Sequence, residues 1–171
     1  MELDVISLGS CASQELRAEI ARDGRALYSS MKKYDNFASA LKTLRRSDEQ
    51  DLDNEFVQGG IIAKLSLQFE LSWKLMKALL AYEGDRTAAT GSPHEILHVS
   101  CQYFDWMDEE LWLRMFRGRN DTTHIYDADL AQRLVQTIIQ RYIPEFERMN
   151  DGVRARYGEM LTDDTSPVYN K

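Results

Sequence analysis

The chain has 171 residues, of which 43% are hydrophobic and 29% charged, the balance of an ordinary globular domain. Its formal net charge is −7, so the surface as a whole does not attract nucleic acid, and contact with RNA would need a local basic patch. Few prolines and glycines favour helices, and two cysteines far apart, Cys11 and Cys101, imply no disulfide framework. The most apolar stretch, residues 61–82, is interrupted by charges and cannot span a bilayer, so we expect a soluble cytoplasmic protein.

The first third of the chain predicts one strand and two helices. Residues 3–8 have the pattern of a short strand, and a helix over about residues 14–22 is expected to end at Gly24. A second helix is predicted from about residue 31 to residue 45. The charged run 46–54 then forms a solvated connector.

The longest helix is predicted from about Glu55 to Glu83. Its apolar residues fill two adjoining arcs of the helical wheel, and Glu70, Lys74 and Lys77 share the narrow remainder. An ordinary surface helix has a narrower apolar stripe, so this helix must bury two faces. A central helix that also contacts a second subunit would do so, which predicts a homodimer.

Start signals predict the remaining helices. Residues 92–95 form a capping box with proline at the first helical position and open a helix to about Tyr103. Asp108 is expected to cap the next helix, which runs to about residue 118, and Asp127 is expected to cap the last. Pro144 should kink or shorten that last helix. The chain therefore reads as an all-α protein after its first residues.

Arg119 and His124 are the residues with the most evident chemistry. Histidine titrates near neutral pH and moves protons, and arginine grips phosphate with a planar fork. The residues between them, 120–123, are weak helix formers, so a break there would let both side chains reach one pocket. Such a pair would cleave a phosphodiester without a metal, by taking the proton of a 2′-hydroxyl and holding the charge on the phosphate. The alternative is that both residues cap helix ends in a loop.

His94, His98 and Cys101 have a spacing that suits zinc. No further cysteine pair accompanies them, and His94 in an exposed first turn is better read as surface. We therefore predict no metal and no other cofactor.

Glu70 and Lys74, four residues apart, predict an ion pair that contributes ~0.3–0.5 kcal/mol if exposed. The simplest interpretation is a solvated stripe. The pair is of interest because the rest of this helix is so apolar.

Five sequence blocks occur in an order that resembles one family. They are Phe69-Glu70-Leu71-Ser72-Trp73-Lys74-Leu75-Met76-Lys77, Glu83-Gly84, Ser92-Pro93, Trp112 and Arg119-Asn120-x3-His124-x-Tyr126. Over about residues 35–150 their order and spacing are similar to those of the nucleotidyltransferase substrate-binding proteins, which belong to the HEPN superfamily.

The resemblance implies an antiparallel up-and-down bundle of four to five helices that dimerises and is encoded beside a minimal nucleotidyltransferase. Some relatives are ribonuclease toxins, and their partner transferase acts as antitoxin by adding AMP to the motif tyrosine. Arg119 and His124 would then be the catalytic pair, and Tyr126 the modified residue. His94 departs from the pattern, because many relatives have arginine after the proline, which puts a phosphate role at this position in doubt.

The expected substrate is RNA or a nucleotide. Its expected contacts are Asn120, Arg117, Glu70 and Lys74. A competing interpretation is a non-catalytic adaptor that presents nucleotide or another substrate to the transferase, with Arg119 and His124 only binding phosphate.

Residues 1–28 lie outside that pattern and look like the closing strand and helix of a minimal nucleotidyltransferase domain. The alternative is an ordinary N-terminal extension. We therefore divide the chain into an extension at 1–28, a HEPN-like bundle at 29–152 and a polar tail at 153–171.

Overall fold

A computed structural model describes the backbone of residues 14–121 and 127–162, and the side chains of residues 22–25, 28–118 and 127–158. Within these bounds the chain is an all-α bundle, as predicted, and contains no strand. Its α-helices are α1 (Gln14–Leu44), α2 (Glu55–Tyr82), α3 (Thr87–Thr90), α4 (Pro93–Tyr103), α5 (Glu109–Asp121), α6 (Ala128–Thr137) and α7 (Ile143–Thr162).

Helix α1 is a single helix where the sequence predicted two. The prediction ended the first helix at Gly24, and it was wrong, because the helix continues through this glycine to Leu44. A glycine inside a helix costs about 1 kcal/mol relative to alanine, which good helix formers on both sides offset. The helix also passes residue 28, the expected end of the N-terminal extension. The strand predicted at residues 3–8 lies outside the described residues.

Helix α2 is the centre of the bundle, and its predicted bounds are confirmed to within a residue. The side chain of Asn54 caps its first turn by accepting from two backbone amides, and Gly84, with φ of 82°, follows its end. Helix α2 packs more extensively against α1 than against any other described helix. A short connector that contains one 3-10 turn joins the two helices, which therefore run antiparallel. Not all of its apolar surface is covered, since Phe56 is 82% exposed and Leu67 is 51% exposed.

The core is organised around Trp112 of α5, which is fully buried. Its ring centroid lies 6.1 Å from that of Phe69 on α2 and 5.4 Å from that of Phe146 on α7. Aromatic pairs at this separation add to the energy of burial alone. Trp112 therefore holds three helices together.

The three predicted helix starts are confirmed. In the capping box of α4, the Ser92 hydroxyl accepts from the Glu95 amide at 3.3 Å, and the Glu95 carboxylate accepts from the Ser92 amide at 2.7 Å. These hydrogen bonds lower the pKa of Glu95. Asp108 accepts from the Leu111 amide at 3.1 Å, and Asp127 caps α6.

The last predicted helix is interrupted just before Pro144, as expected. A π-helical turn, Ile138–Tyr142, separates α6 from α7. Proline has no amide hydrogen to donate to the preceding turn, and a wide turn accommodates the missing bond. Helix α7 then runs past residue 153, where we expected a polar tail, and there it buries Val153 and Tyr157 against the core. No helix in the described part of the chain is long and apolar enough to cross a membrane.

Candidate functional site

The C-terminal end of α5 carries the first half of the predicted motif. Arg119 and Asn120 lie in the last turn of this helix, which runs to Asp121. Their side chains are not among those described, and His124 and Tyr126 lie outside the described residues altogether. The structure therefore places the motif arginine on a helix, whereas the expected break before His124 stays a prediction.

The turn of α5 before the motif is basic. Arg117 is exposed, and Arg114 pairs with Glu110 at 2.6 Å. The i,i+4 ion pair explains the placement of Arg114 without any ligand, and Arg117 lies closer to the helix C-terminus, where the dipole favours a cation. The same charges would also draw a phosphate toward Arg119.

Phe116 connects this end of α5 to the rest of the bundle. Its ring centroid lies 6.0 Å from that of Phe69 on α2 and 6.0 Å from the imidazole of His94 on α4. His94, the residue that departs from the family pattern, thus lies beside Phe116 of α5. Sequence spacing alone gave no sign of this proximity, since the two residues lie on different helices.

The possible zinc ligands of α4 do not converge. His98 turns to α5, where its Nδ1 lies 2.6 Å from Glu109, while its Nε2 lies 3.0 Å from the Gln102 amide. Burial raises the pKa of the Cys101 thiol to about 12, so the thiolate that zinc requires is disfavoured. Across residues 22–25, 28–118 and 127–158, no three His, Cys, Asp or Glu side chains are grouped to hold a metal.

The predicted ion pair on α2 is confirmed. Lys74 Nζ lies 2.5 Å from Glu70 Oε1, and both side chains are nearly half exposed. Solvent screening makes such a pair worth well under about 1 kcal/mol. Its significance is positional, because Lys74 also lines a groove.

That groove lies between α1 and α2 and has a volume of about 410 Å³. Helix α2 contributes Leu71 and Lys74. Helix α1 contributes one face of its middle turns, namely Tyr28, Ser29, Lys32, Lys33 and Asn36. The arrangement therefore brings Lys74 together with two lysines of α1, and Arg117 of α5 is not part of the lining.

The sequence prediction missed this groove for a specific reason. Tyr28, Lys32 and Asn36 follow each other at intervals of four residues, which places them on one helical face. The predicted helix end at Gly24 and restart near residue 31 broke that face in two. A continuous helix would have shown the basic face opposite Lys74.

A second cluster of side chains surrounds Glu83, a residue of the family pattern, at the C-terminal end of α2. Its carboxylate accepts from the Tyr157 hydroxyl at 2.6 Å and from Arg156 at 2.9 Å. The guanidinium of Arg156 lies 5.3 Å from the centre of the Tyr103 ring. Burial and this carboxylate raise the pKa of Tyr157. These contacts tie α2, α4 and α7 together, which is a structural role for Glu83.

The geometry defines a class of protein: an all-α bundle with a basic helix end and a lysine-lined groove. The family model described as nucleotidyltransferase substrate binding protein like matches residues 32–155, from α1 into α7. The chain belongs to this family, and the HEPN superfamily placement is consistent with it. Among curated proteins, none matches the chain.

Proposed function

We propose that the chain is the substrate-binding partner of a minimal nucleotidyltransferase. The observation that carries this proposal is the family match, which extends over the whole bundle rather than over one motif. Two basic features of the described surface support a ligand with phosphate groups: the end of α5 and the groove between α1 and α2. Both stand out on a chain whose net charge is −7.

We further propose that Arg119 and His124 form a metal-independent endoribonuclease site, the toxin half of a toxin-antitoxin pair. His124 takes the proton of a ribose 2′-hydroxyl, whose oxygen attacks the adjacent phosphorus. Arg119 stabilises the charge that builds on the phosphate oxygens. The bond from phosphorus to the 5′-oxygen then breaks, and that oxygen leaves as a hydroxyl after taking a proton from water. The products are a 2′,3′-cyclic phosphate and a 5′-hydroxyl.

A non-catalytic adaptor is the second candidate function, and the groove favours it. Among the described residues, its lining contains three lysines but no histidine and no carboxylate. Such a lining attracts anions and offers no imidazole or carboxylate as a general base. In this alternative the chain presents a phosphate-bearing substrate to the transferase, and Arg119 only binds phosphate.

A homodimer completes the proposal. Phe56, Gly60, Ala63 and Leu67 follow one another at intervals of four, three and four residues along α2, and all four are exposed. This spacing forms a seam of the kind through which two helices pack. A second copy would cover it, since exposed contiguous apolar patches on a helix commonly mark contact surfaces.

The partner role is tested by mixing the purified chain with the minimal nucleotidyltransferase encoded nearest to it and measuring the mass of the complex by light scattering. We expect a stable complex at micromolar concentration. Elution of two separate species across that range would contradict the partner role, whatever the fate of the ribonuclease proposal.

A further inference from the structure

The groove between α1 and α2 concentrates positive charge. Lys32 is exposed at its rim, and Lys33 donates to the Ser29 hydroxyl at 2.5 Å, which leaves its remaining ammonium hydrogens for a ligand. Lys74 enters from the opposite wall and is paired with Glu70 outside the groove lining. Three ammonium groups around one opening favour a ligand with several negative charges.

The groove also has an apolar and aromatic portion. Tyr28 is 63% exposed, so most of its ring is presented to solvent. Leu71 lies half-buried on the other wall. An exposed tyrosine face and a leucine accept a flat heterocycle by stacking and apolar contact. Asn36 adds an amide that both donates and accepts hydrogen bonds.

The size of the groove limits the ligand. Its volume of about 410 Å³ falls in the range of small-molecule sites, roughly 300–1,000 Å³. A mononucleotide has this size. Its phosphates complement the lysines of the lining, and its aromatic base complements Tyr28 and Leu71. An RNA strand would use the same chemistry but needs a basic track that continues beyond the groove.

We propose that this groove is a mononucleotide-binding site, with the phosphates on Lys32, Lys33 and Lys74 and the base on Tyr28 and Leu71. The described lining of this site belongs to α1 and α2, and the proposal does not depend on ribonuclease chemistry at Arg119 and His124. Glu70 acts against binding, because its carboxylate competes with a ligand phosphate for Lys74. The protein alone should therefore bind a nucleoside triphosphate.

The test is calorimetric titration of the isolated chain with ATP in EDTA at low salt. We expect binding that weakens about tenfold in the Lys32→Gln, Lys33→Gln double variant, since two charge-assisted contacts are lost. The matched control is Lys42→Gln with Lys64→Gln, which removes the same charge from exposed positions outside the groove. Equal weakening in both double variants, or no binding by the unaltered chain, would overturn the proposal.

The Glu70→Gln variant should change the affinity for ATP in the opposite direction. Removing the competing carboxylate should tighten ATP binding several-fold, which a purely structural effect would not do, and it keeps the proposal testable if the lysine variants fold poorly. Unchanged or weaker binding by Glu70→Gln counts against it.

Titrations with other ligands show which part of the nucleotide the groove binds. Inorganic triphosphate should bind more weakly than ATP, and adenosine more weakly still. Adenosine binding equal to that of ATP would contradict the phosphate assignment. Lysine-dependent binding of a short RNA without binding of ATP would contradict the mononucleotide assignment. Complex formation with the transferase is a separate measurement, so a failure here leaves the partner role standing.

Discussion

The indole nitrogen of Trp112 donates a hydrogen bond of 2.7 Å to Oε1 of Glu145, a carboxylate that is only 1% exposed. The same oxygen accepts from the Asp108 amide at 3.0 Å, and Arg148 lies 2.6 Å from Oε2. A buried carboxylate is tolerated only when such partners satisfy it. Glu145 thereby fastens the start of α5 to α7, and this explains a tryptophan of the family pattern.

Glu145→Leu should lower the free energy of unfolding by about 3 kcal/mol, because it leaves the Trp112 and Asp108 donors unpaired and Arg148 without its partner. Urea unfolding followed by circular dichroism measures the change. The control is Glu147→Leu, two residues along the same helix, whose ion pair with Arg45 at 2.7 Å is on the surface. That variant should lose less than about 1 kcal/mol. Similar losses in both would contradict a special role for Glu145.

Burial of Cys101 predicts slow alkylation. The folded thiol has a pKa of about 12, above the ordinary value, because desolvation and nearby carboxylates disfavour the thiolate. The thiolate fraction at pH 8 is therefore far smaller in the folded chain than in urea, and iodoacetamide should label Cys101 at least tenfold more slowly, by peptide mass spectrometry. Because the pKa of this thiol is higher in the folded chain than in the unfolded chain, the neutral thiol contributes to folding stability. That contribution is fully present below the unfolded pKa and is lost as the pH rises toward 12. Labelling at equal rates in the folded and unfolded chain would show that the thiol is accessible.

The exposed seam of α2 predicts how the dimer is disrupted. Leu67→Glu places a charge at the C-terminal end of the seam and should shift the protein toward monomer at micromolar concentration, as measured by light scattering. Leu130→Glu is the matched control, because Leu130 is a leucine of similar exposure, 49%, on a different helix, α6. If the unaltered chain is itself a monomer, the proposed homodimer is wrong.

Local sequence patterns predicted the starts of the helices well. They could not predict contacts between residues that are far apart in the sequence. The box at residues 92–95 is readable because cap and partner are three residues apart. The bond between Trp112 and Glu145 joins residues 33 positions apart, and no local period encodes it. Gly24 misled the prediction because its unfavourable helix propensity was considered without the helix-forming residues on both sides, through which α1 continues. Arg119 and His124 were singled out by their chemistry, but their catalytic roles and that of Tyr126 were assigned by resemblance, since arginine and histidine in a polar run have too many uses for the pattern to decide.

The ribonuclease proposal predicts cleavage without metal. The purified chain should cut RNA in EDTA and leave 2′,3′-cyclic phosphate ends, because an imidazole and a guanidinium supply the chemistry. His124→Ala should reduce the rate at least about a hundredfold. Arg119→Ala should reduce the rate and also weaken RNA binding, since it removes a phosphate contact. Activity that is lost in EDTA and restored by magnesium would contradict this mechanism, and undiminished cleavage by both variants would favour the adaptor.

Tyr126 is predicted to accept AMP from the partner transferase. Its phenol stands two residues after His124 and directly before the Asp127 cap of α6. The phenol oxygen would attack the α-phosphate of ATP, with pyrophosphate as the leaving group, once the transferase supplies base and metal. A phosphate and a bulky nucleoside beside His124 would repel and block an incoming RNA phosphate, so modification should silence cleavage.

Intact mass spectrometry after incubation with the transferase, ATP and magnesium measures this step, and the expected shift is one adenylyl group per chain. Tyr126→Phe should abolish the shift while leaving complex formation unchanged, because only the hydroxyl is removed. The control is Tyr103→Phe, which alters an exposed tyrosine of α4 and should leave the modification unchanged. Tyr126→Phe should also leave ATP binding by the isolated chain unchanged, because the proposed nucleotide contacts are on α1 and α2. An unshifted mass, or a shift that persists in Tyr126→Phe, would rule out this switch.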